Sequence, residues 1–361
     1  MTEPQDTLAL GSRCPACGAE VVWDPTNAEN NCPYCSMPLE VPQPEEADAS
    51  VEENDLLAAL QTGGGSITDE PQRRSVRCNQ CNAVSTWTEE QRSGRCAFCG
   101  APALVEEQLD SSRIAPEGLL PFIIDKKEAR KAVKKWIQGL WFRPSDLKKV
   151  AQMGQLEGLY VPYWTFDAEG VADYTAQRGD YYYVTRKVGD QTKRERKVRW
   201  TSVSGRVHRG FDDVLVCAST GVPQEHIRGV EDWPTESLVP FEQRYLAGFG
   251  SEAYTMDLEE GWQLGQAKMN DQLRTDCVHD IGGDTYRNLD MDSSFSNRTY
   301  KHCLLPLWIG AYQYRAKGWQ VLINGTTGTV DGAAPLSWWK IGFAIATVAA
   351  IVFAGYVFGG G

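Results

Sequence analysis

Along this chain the period of the apolar positions changes, and the changes mark out its elements. In LPFIIDKKEARKAVKKWIQGLWF, Ala129, Val133, Trp136, Ile137 and Leu140 recur at helical spacing with Lys and Arg between them. Pro144 then opens a second short helix, SDLKKVAQM. The texture turns extended at LYVPYWTFDAEGVADYTA, a strand. Two runs rich in β-formers follow, DYYYVTRKV and KVRWTSVSGRV, joined by GDQTKRER as a hairpin. DVLVCAS reads as another strand, and MDLEEGWQLGQAKMNDQLRTDCVHDI as a long helix that stops before Gly282-Gly283. The run CLLPLWIGAYQYRAKGWQVLINGTTGTVDG reads as three strands with turns at Lys317-Gly318 and Asn324-Gly325.

An internal echo lies within these elements. LYVPYW at Leu159–Trp164 and LLPLW at Leu304–Trp308 each start a β-rich run downstream of an amphipathic helix. The expectation is an α+β domain over 111–336, built as an internal duplication. Beyond it, residues 341–358 are 18 consecutive uncharged, mostly apolar positions, roughly 27 Å as a helix. Trp338 and Trp339 flank one end and Tyr356 and Phe358 the other, as an aromatic belt would, while Lys340 is the only flanking cation. These features predict a C-terminal transmembrane helix over 337–361, a tail anchor leaving the bulk of the chain cytoplasmic. The predicted localisation is the cell inner membrane, single-pass.

Before residue 111 the pattern is set by cysteine. CPAC and CPYC are separated by 14 residues, and so are CNQC and CAFC. Paired CxxC motifs at that spacing describe four-cysteine zinc ribbons, in which two tight turns aim four sulfurs at one ion. Cys14, Cys17, Cys32 and Cys35 form the first set, over 1–39. Cys78, Cys81, Cys96 and Cys99 form the second, over 76–110. Thiolates select Zn2+, with iron second, over hard cations. With four protein ligands no position stays open for substrate, so two structural zinc ions are expected. The residue after such a turn favours positive φ; Gly18, Gly100 and Asn82 suit it, and Ser36 does not. Between the ribbons, 40–75 reads as an acidic flexible linker in which Asn54 or Asp55 caps a short helix ending at Gly63.

Charge changes the usual reading of a zinc ribbon. Residues 1–110 carry 19 acidic against 6 basic side chains, so phosphate backbones are repelled there. The one basic cluster is Arg186, Lys187, Lys193, Arg194, Arg196, Lys197 and Arg199 on the predicted hairpin. It offers contact to anionic lipid, to the acidic ribbon half, or to nucleic acid. Cys217 fits a buried strand position. Cys277 with His279, and His302 with Cys303, have only sequence proximity to suggest a further metal site. The chain lacks a Ser-His-Asp arrangement, a phosphate-cradling loop and HExxH.

Several stretches resemble a bacterial family of zinc-ribbon membrane proteins, often labelled TFIIB-type zinc ribbon or primosomal-protein-N′-like. They are CPACGAEVVWDP, the second ribbon, LPFIIDKKEARKAVKKW, FRPSDLK, GLYVPYWTFDA, LLPLWIGAYQYRAKGWQVLINGTTGTVDG and the C-terminal apolar segment. The helicase-like part of that label rests on the cysteines, and no GxxxxGK[ST] occurs here. Ser36 and Asn82 depart from the glycines usual in the family. The resemblance implies a place beside SPFH (flotillin-like) and phage-shock-type membrane-stress proteins. It implies a non-enzymatic scaffold or adaptor that recruits proteins at the membrane. A membrane-tethered nucleic-acid-binding protein is the alternative, and an enzyme with an aromatic-lined pocket is a third reading.

Overall fold

The computed structural model describes residues 14–19, 21–27, 29–39, 51–62, 74–79, 84–87, 104–107, 113–147, 152–188, 191–222, 224–314 and 317–358. Strands β1 (Val22–Asp24), β2 (Glu29–Asn31) and β3 (Pro38–Leu39) form a small sheet of their own. β4 (Asn54–Asp55), α1 (Leu56–Thr62), β5 (Arg74–Cys78), β6 (Val84–Trp87), β7 (Leu104–Glu107) and β8 (Gly118–Leu119) follow. Next come α2 (Lys126–Gly139), β9 (Gln152–Val188), β10 (Gln191–Cys217), α3 (Gln224–Ile227), β11 (Val239–Pro240) and β12 (Gly250–Glu252). The chain continues through α4 (Leu258–Ile281), β13 (Thr285–Tyr314), β14 (Lys317–Asn324), β15 (Val330–Gly332) and α5 (Trp338–Phe358).

Strands β4 to β15 join one 12-stranded sheet, mostly antiparallel, whose centre is β9 between β10 and β13. The expected α+β domain is therefore corrected to a large antiparallel sheet with few helices. The physical reason is strand length. β9 runs for 37 residues, β10 for 27 and β13 for 30, absorbing segments that had read as separate strands and loops. Within the expected helix SDLKKVAQM, Gln152 and Met153 already belong to β9. The predicted loop GDQTKRER is strand from Gln191, which pairs Val188 across the hairpin.

Burial falls in three tiers along β9, and the composition follows it. At the base both faces are covered, so Leu159, Val161 and Tyr163 enter one core while Leu156 and Tyr160 enter another. That two-sided burial explains a continuous apolar run where alternation is normal. In the middle one face is covered by α4, and Ala168, Ala172, Tyr174 and Ala176 alternate inward at period two. Beyond Gly179, where β13 ends its pairing, β9 and β10 continue as a two-stranded arm with mostly exposed side chains.

The two echo segments meet at the base. Leu304 pairs Pro162, Leu305 pairs Val161 and Pro306 pairs Tyr160, so LYVPYW and LLPLW are antiparallel neighbours. Helix caps follow the chain's own signals: Asp125 accepts from the Glu128 amide at 2.6 Å and Asp257 from the Glu260 amide at 2.8 Å. Within the segment expected as linker, Asp55 caps α1 through the Ala58 amide at 2.7 Å. There Leu56 is fully buried and β4 pairs with β13.

The expected transmembrane anchor is also corrected. Helix α5 forms, but among the described residues no helix is long and apolar enough to cross a membrane. The expected tail-anchored, single-pass, inner-membrane placement falls with it.

Candidate metal centre

The first cysteine set converges. One sulfur each from Cys14, Cys17, Cys32 and Cys35 lies within 4.8 Å of the other three. The Cys14 and Cys35 sulfurs are 3.5 Å apart, and those of Cys17 and Cys32 are 3.4 Å apart. Four sulfurs about 2.3 Å from one tetrahedral ion would stand about 3.8 Å from one another, so the spacing fits a metal. Cys14 and Cys32 are buried, whereas Cys17 and Cys35 face outward.

The two loops that carry these sulfurs share one hydrogen-bond plan. The Gly18 amide donates to the Cys14 carbonyl at 2.8 Å, and the Ser36 amide to the Cys32 carbonyl at 2.9 Å. The Cys14 amide reaches the Ala19 carbonyl and the Cys32 amide the Met37 carbonyl. Gly18 takes φ +73° and Ser36 φ +54°, so Ser36 adopts the left-handed turn for which its side chain is poorly suited. The Cys35 amide pulls the Cys32 thiol down to about 6. Cys17 receives the Ala19 amide, which lowers it, yet contact with Cys32 raises it to about 12. Four thiols this close cannot all ionise unless a cation takes up the charge.

The centre is fastened to the large sheet. Trp23, on β1, is buried, donates its indole N–H to the Phe122 carbonyl at 3.3 Å, and meets Tyr245 edge-on at 4.8 Å. The Trp23 amide donates to the Ala247 carbonyl at 3.0 Å.

Of the second set only Cys78 can be placed. It ends β5 and is fully buried among Leu120, Leu159 and Leu307, while Cys81, Cys96 and Cys99 lie outside the described residues. β6 of this region joins the large sheet through Thr86 opposite Ser251 and Ser85 opposite Glu252. Among the other cysteines, Cys217 and Cys303 are buried thiols raised by burial, Cys217 to about 12. Cys277 is fully buried against α4's partners. His302 and Cys303 are neighbours on one strand and point to opposite faces.

Two polar clusters had no spacing signal in the sequence. Lys301, nearly buried, lies 2.8 Å from Asp213, 3.4 Å from Glu53 and 3.8 Å from Asp167. Burial alone would lower the Lys301 ammonium, but Asp213 and the other carboxylates more than offset it and raise it. Burial lifts Asp167 to about 6. Asp167, Asp212 and Asp213 could together face a metal ion, yet the Lys301 ammonium already supplies the positive charge there. Asp213 sits in a β-bulge at φ +50°, where its amide donates to Asp167 at 2.5 Å. Nearby, Glu117 accepts from the His302 amide at 2.5 Å and from the Asn54 side chain at 2.7 Å. Burial raises Glu117 to about 7 and lowers His302 to about 4.

On the arm, arginines lie over tyrosines. Arg194 is 4.1 Å from the Tyr183 ring centre, Arg196 4.3 Å from Tyr181 and Arg199 5.5 Å from Tyr182.

Comparison with known proteins adds one distant relative. The chain is 26% identical over 265 residues to the uncharacterized protein YdjG of Bacillus subtilis (strain 168), covering 70% of this chain and 74% of that protein. No family model matches the chain, and neither does any solved structure.

Proposed function

We propose that this chain is a non-enzymatic adaptor whose zinc ribbons are rigid docking modules on a β-sheet body. The observation that carries the reading is the four-cysteine cluster held to the body through Trp23. Zn2+ is the ion the donor set favours, since four thiolates suit a soft, tetrahedral cation and close its coordination sphere. A second zinc ion would be held by Cys78 with Cys81, Cys96 and Cys99. In these closed sites the metal would supply folding free energy and shape, not an open Lewis-acid position. The buried ionisable groups support the same reading: Lys301 faces carboxylates, and His302 Nδ1 lies 3.0 Å from the Ile114 carbonyl. The partners are proteins, of the SPFH or phage-shock type that the family resemblance implies.

Co-purification of the full chain with such a protein, from cells making both, tests the reading. Wild type should retain the partner, and Cys14→Ser with Cys32→Ser should release it while the body stays folded. Retention by the variant, or no retention by wild type, would sink the proposal.

A further inference from the structure

The two faces of the basic arm are not alike. Beyond Gly179, antiparallel pairing sets Tyr181 opposite Val198, Tyr183 opposite Arg196 and Thr185 opposite Arg194. Directly opposed residues point to one side, so these side chains share a face with Lys187. Glu195 opposes Val184 and lies on the other face. The cations of the first face are Lys187, Arg194 and Arg196, all exposed, and among the described residues it holds no carboxylate. Asp284, at its border, is engaged with the Tyr181 amide at 2.6 Å.

That face is a ladder of ring–guanidinium pairs. Arg194 and Arg196 lie over Tyr183 and Tyr181, and Arg287 of β13 stands 4.0 Å from the Trp200 ring centre. Trp200 opposes Gly179, so the rungs recur at every second residue of β9, about 7 Å apart. Glycine is required at the lowest rung, because a Cβ built on Gly179 would stand 2.8 Å from Cζ3 of Trp200. Below Arg287 the same face turns acidic. Asp290 opposes Thr175 and Asp292 opposes Asp173, both exposed. The cationic strip therefore has a lower boundary, and it confines a bound polyanion to the arm.

We propose that this face of the arm binds single-stranded nucleic acid, with phosphates on Lys187, Arg194 and Arg196 and bases stacked on the ring–guanidinium pairs. Charge complementarity selects a polyanion. The whole chain is −12, but screening over about 8 Å leaves the local cations to decide the contact. The rings then select the class of polyanion. A duplex hides its base faces in its own stack, whereas a single strand presents them to aromatic side chains and guanidinium planes. An arginine held on a ring offers a flat surface to a base and N–H groups to a phosphate. An anionic bilayer is the poorer match, since Val198, half-buried, is the one aliphatic side chain described on this face of the arm. RNA and DNA share the chemistry used here. The inference goes beyond the adaptor reading and does not depend on it, because no ribbon cysteine takes part.

Fluorescence anisotropy of labelled 12-nucleotide RNA and DNA strands, titrated with the full-length protein over a salt series, tests it. Both strands should bind at about 50 mM salt, with log affinity falling against log salt at a slope of about −2 to −3 for three or four phosphates. The tighter of the two identifies the natural source, and either supports the proposal. Tyr181→Leu with Tyr183→Leu should weaken binding about tenfold or more at unchanged slope, because the rings go and the charges stay. Arg194→Gln with Arg196→Gln should reduce the slope by about 1.4, and the matching Lys pair should restore it. Circular dichroism of each variant should match wild type, since Tyr183, Arg194 and Arg196 are exposed. Absence of binding to either strand at about 50 mM salt overturns the proposal. So does binding that ignores the arm variants, or that weakens with the arginines but not with the tyrosines. Tighter arm-dependent binding of a 12-base-pair duplex, or of vesicles of mixed phosphatidylserine and phosphatidylcholine, also overturns it.

Discussion

Trp23 ties the four-cysteine unit to the body: its indole N–H reaches the Phe122 carbonyl at 3.3 Å, its amide reaches the Ala247 carbonyl at 3.0 Å, and its ring meets Tyr245 at 4.8 Å. Loss of its side chain should be felt as undocking. Trp23→Ala should cost about 3–5 kcal/mol at the contact. Hydrogen exchange should speed up across β1 to β3, with β9 and β13 protected as before. Equal acceleration throughout would mean that the ribbon is not a separable module.

The metal should behave as the ribbon's core. A ribbon this small buries too little apolar surface to fold alone, so binding and folding are one equilibrium. Metal analysis of the purified chain should find zinc, and Cys32→Ser should remove one ion per chain. The variant's main thermal transition should move by no more than a few degrees, since the large sheet has its own cores. Unchanged zinc in Cys32→Ser would refute the site.

Glu117 and His302 predict an unusual pH dependence. Burial raises Glu117 from 4.5 to about 7, so the folded state holds a proton that the unfolded state has released. Its contribution makes stability fall as pH rises across that window. Burial lowers His302 from 6.5 to about 4, so its contribution is lost as pH falls from 6.5. The two slopes oppose each other where the windows overlap. Wild type should therefore change little across that overlap on their account. Glu117→Gln removes one slope and should expose a loss of roughly 3 kcal/mol between neutral pH and pH 4, at about 1.4 kcal/mol per tenfold change in proton affinity. Urea denaturation at stepped pH measures it; parallel curves for the two proteins would rule the pairing out.

How far the sequence disclosed this follows the physics of each signal. The four cysteines of the first site were legible because a metal knuckle is a local motif, and the cap at Asp55 because capping is local too. β13 before Cys303 was not legible. Its register shifts between Arg287 and Asp290 and between Ser296 and Thr299, with Asn288 and Asn297 at positive φ, and each bulge breaks the alternation. The Lys301 cluster was hidden for another reason: Glu53, Asp167 and Asp213 come together only through strand pairing across most of the chain. The apolar C-terminal run was read as a span from composition. Among the described residues no helix is long and apolar enough for that reading.

Helix α4 supplies a final test, because its packing reverses the usual ranking of glycine and alanine. Gly261 and Gly265 lie one turn apart on the buried face, where the helix meets β9. A Cβ built on Gly261 would stand 2.5 Å from Cδ1 of Trp164, and one on Gly265 would stand 2.7 Å from Cδ2 of Phe166. Both rings are fully buried and cannot swing away without disturbing a close-packed core. Alanine gains up to about 1 kcal/mol over glycine in helix propensity. Overpacking a tight core costs about 1–3 kcal/mol, so the clash should win. Gly265→Ala is expected to be destabilising by about 1–2 kcal/mol in urea unfolding. The control is Gly139 in the last turn of α2, where a Cβ would meet nothing within 4 Å. Gly139→Ala should instead stabilise by about 0.5–1 kcal/mol. If both variants were stabilised alike, α4 would not be seated on Trp164 and Phe166 as closely as the structure places it.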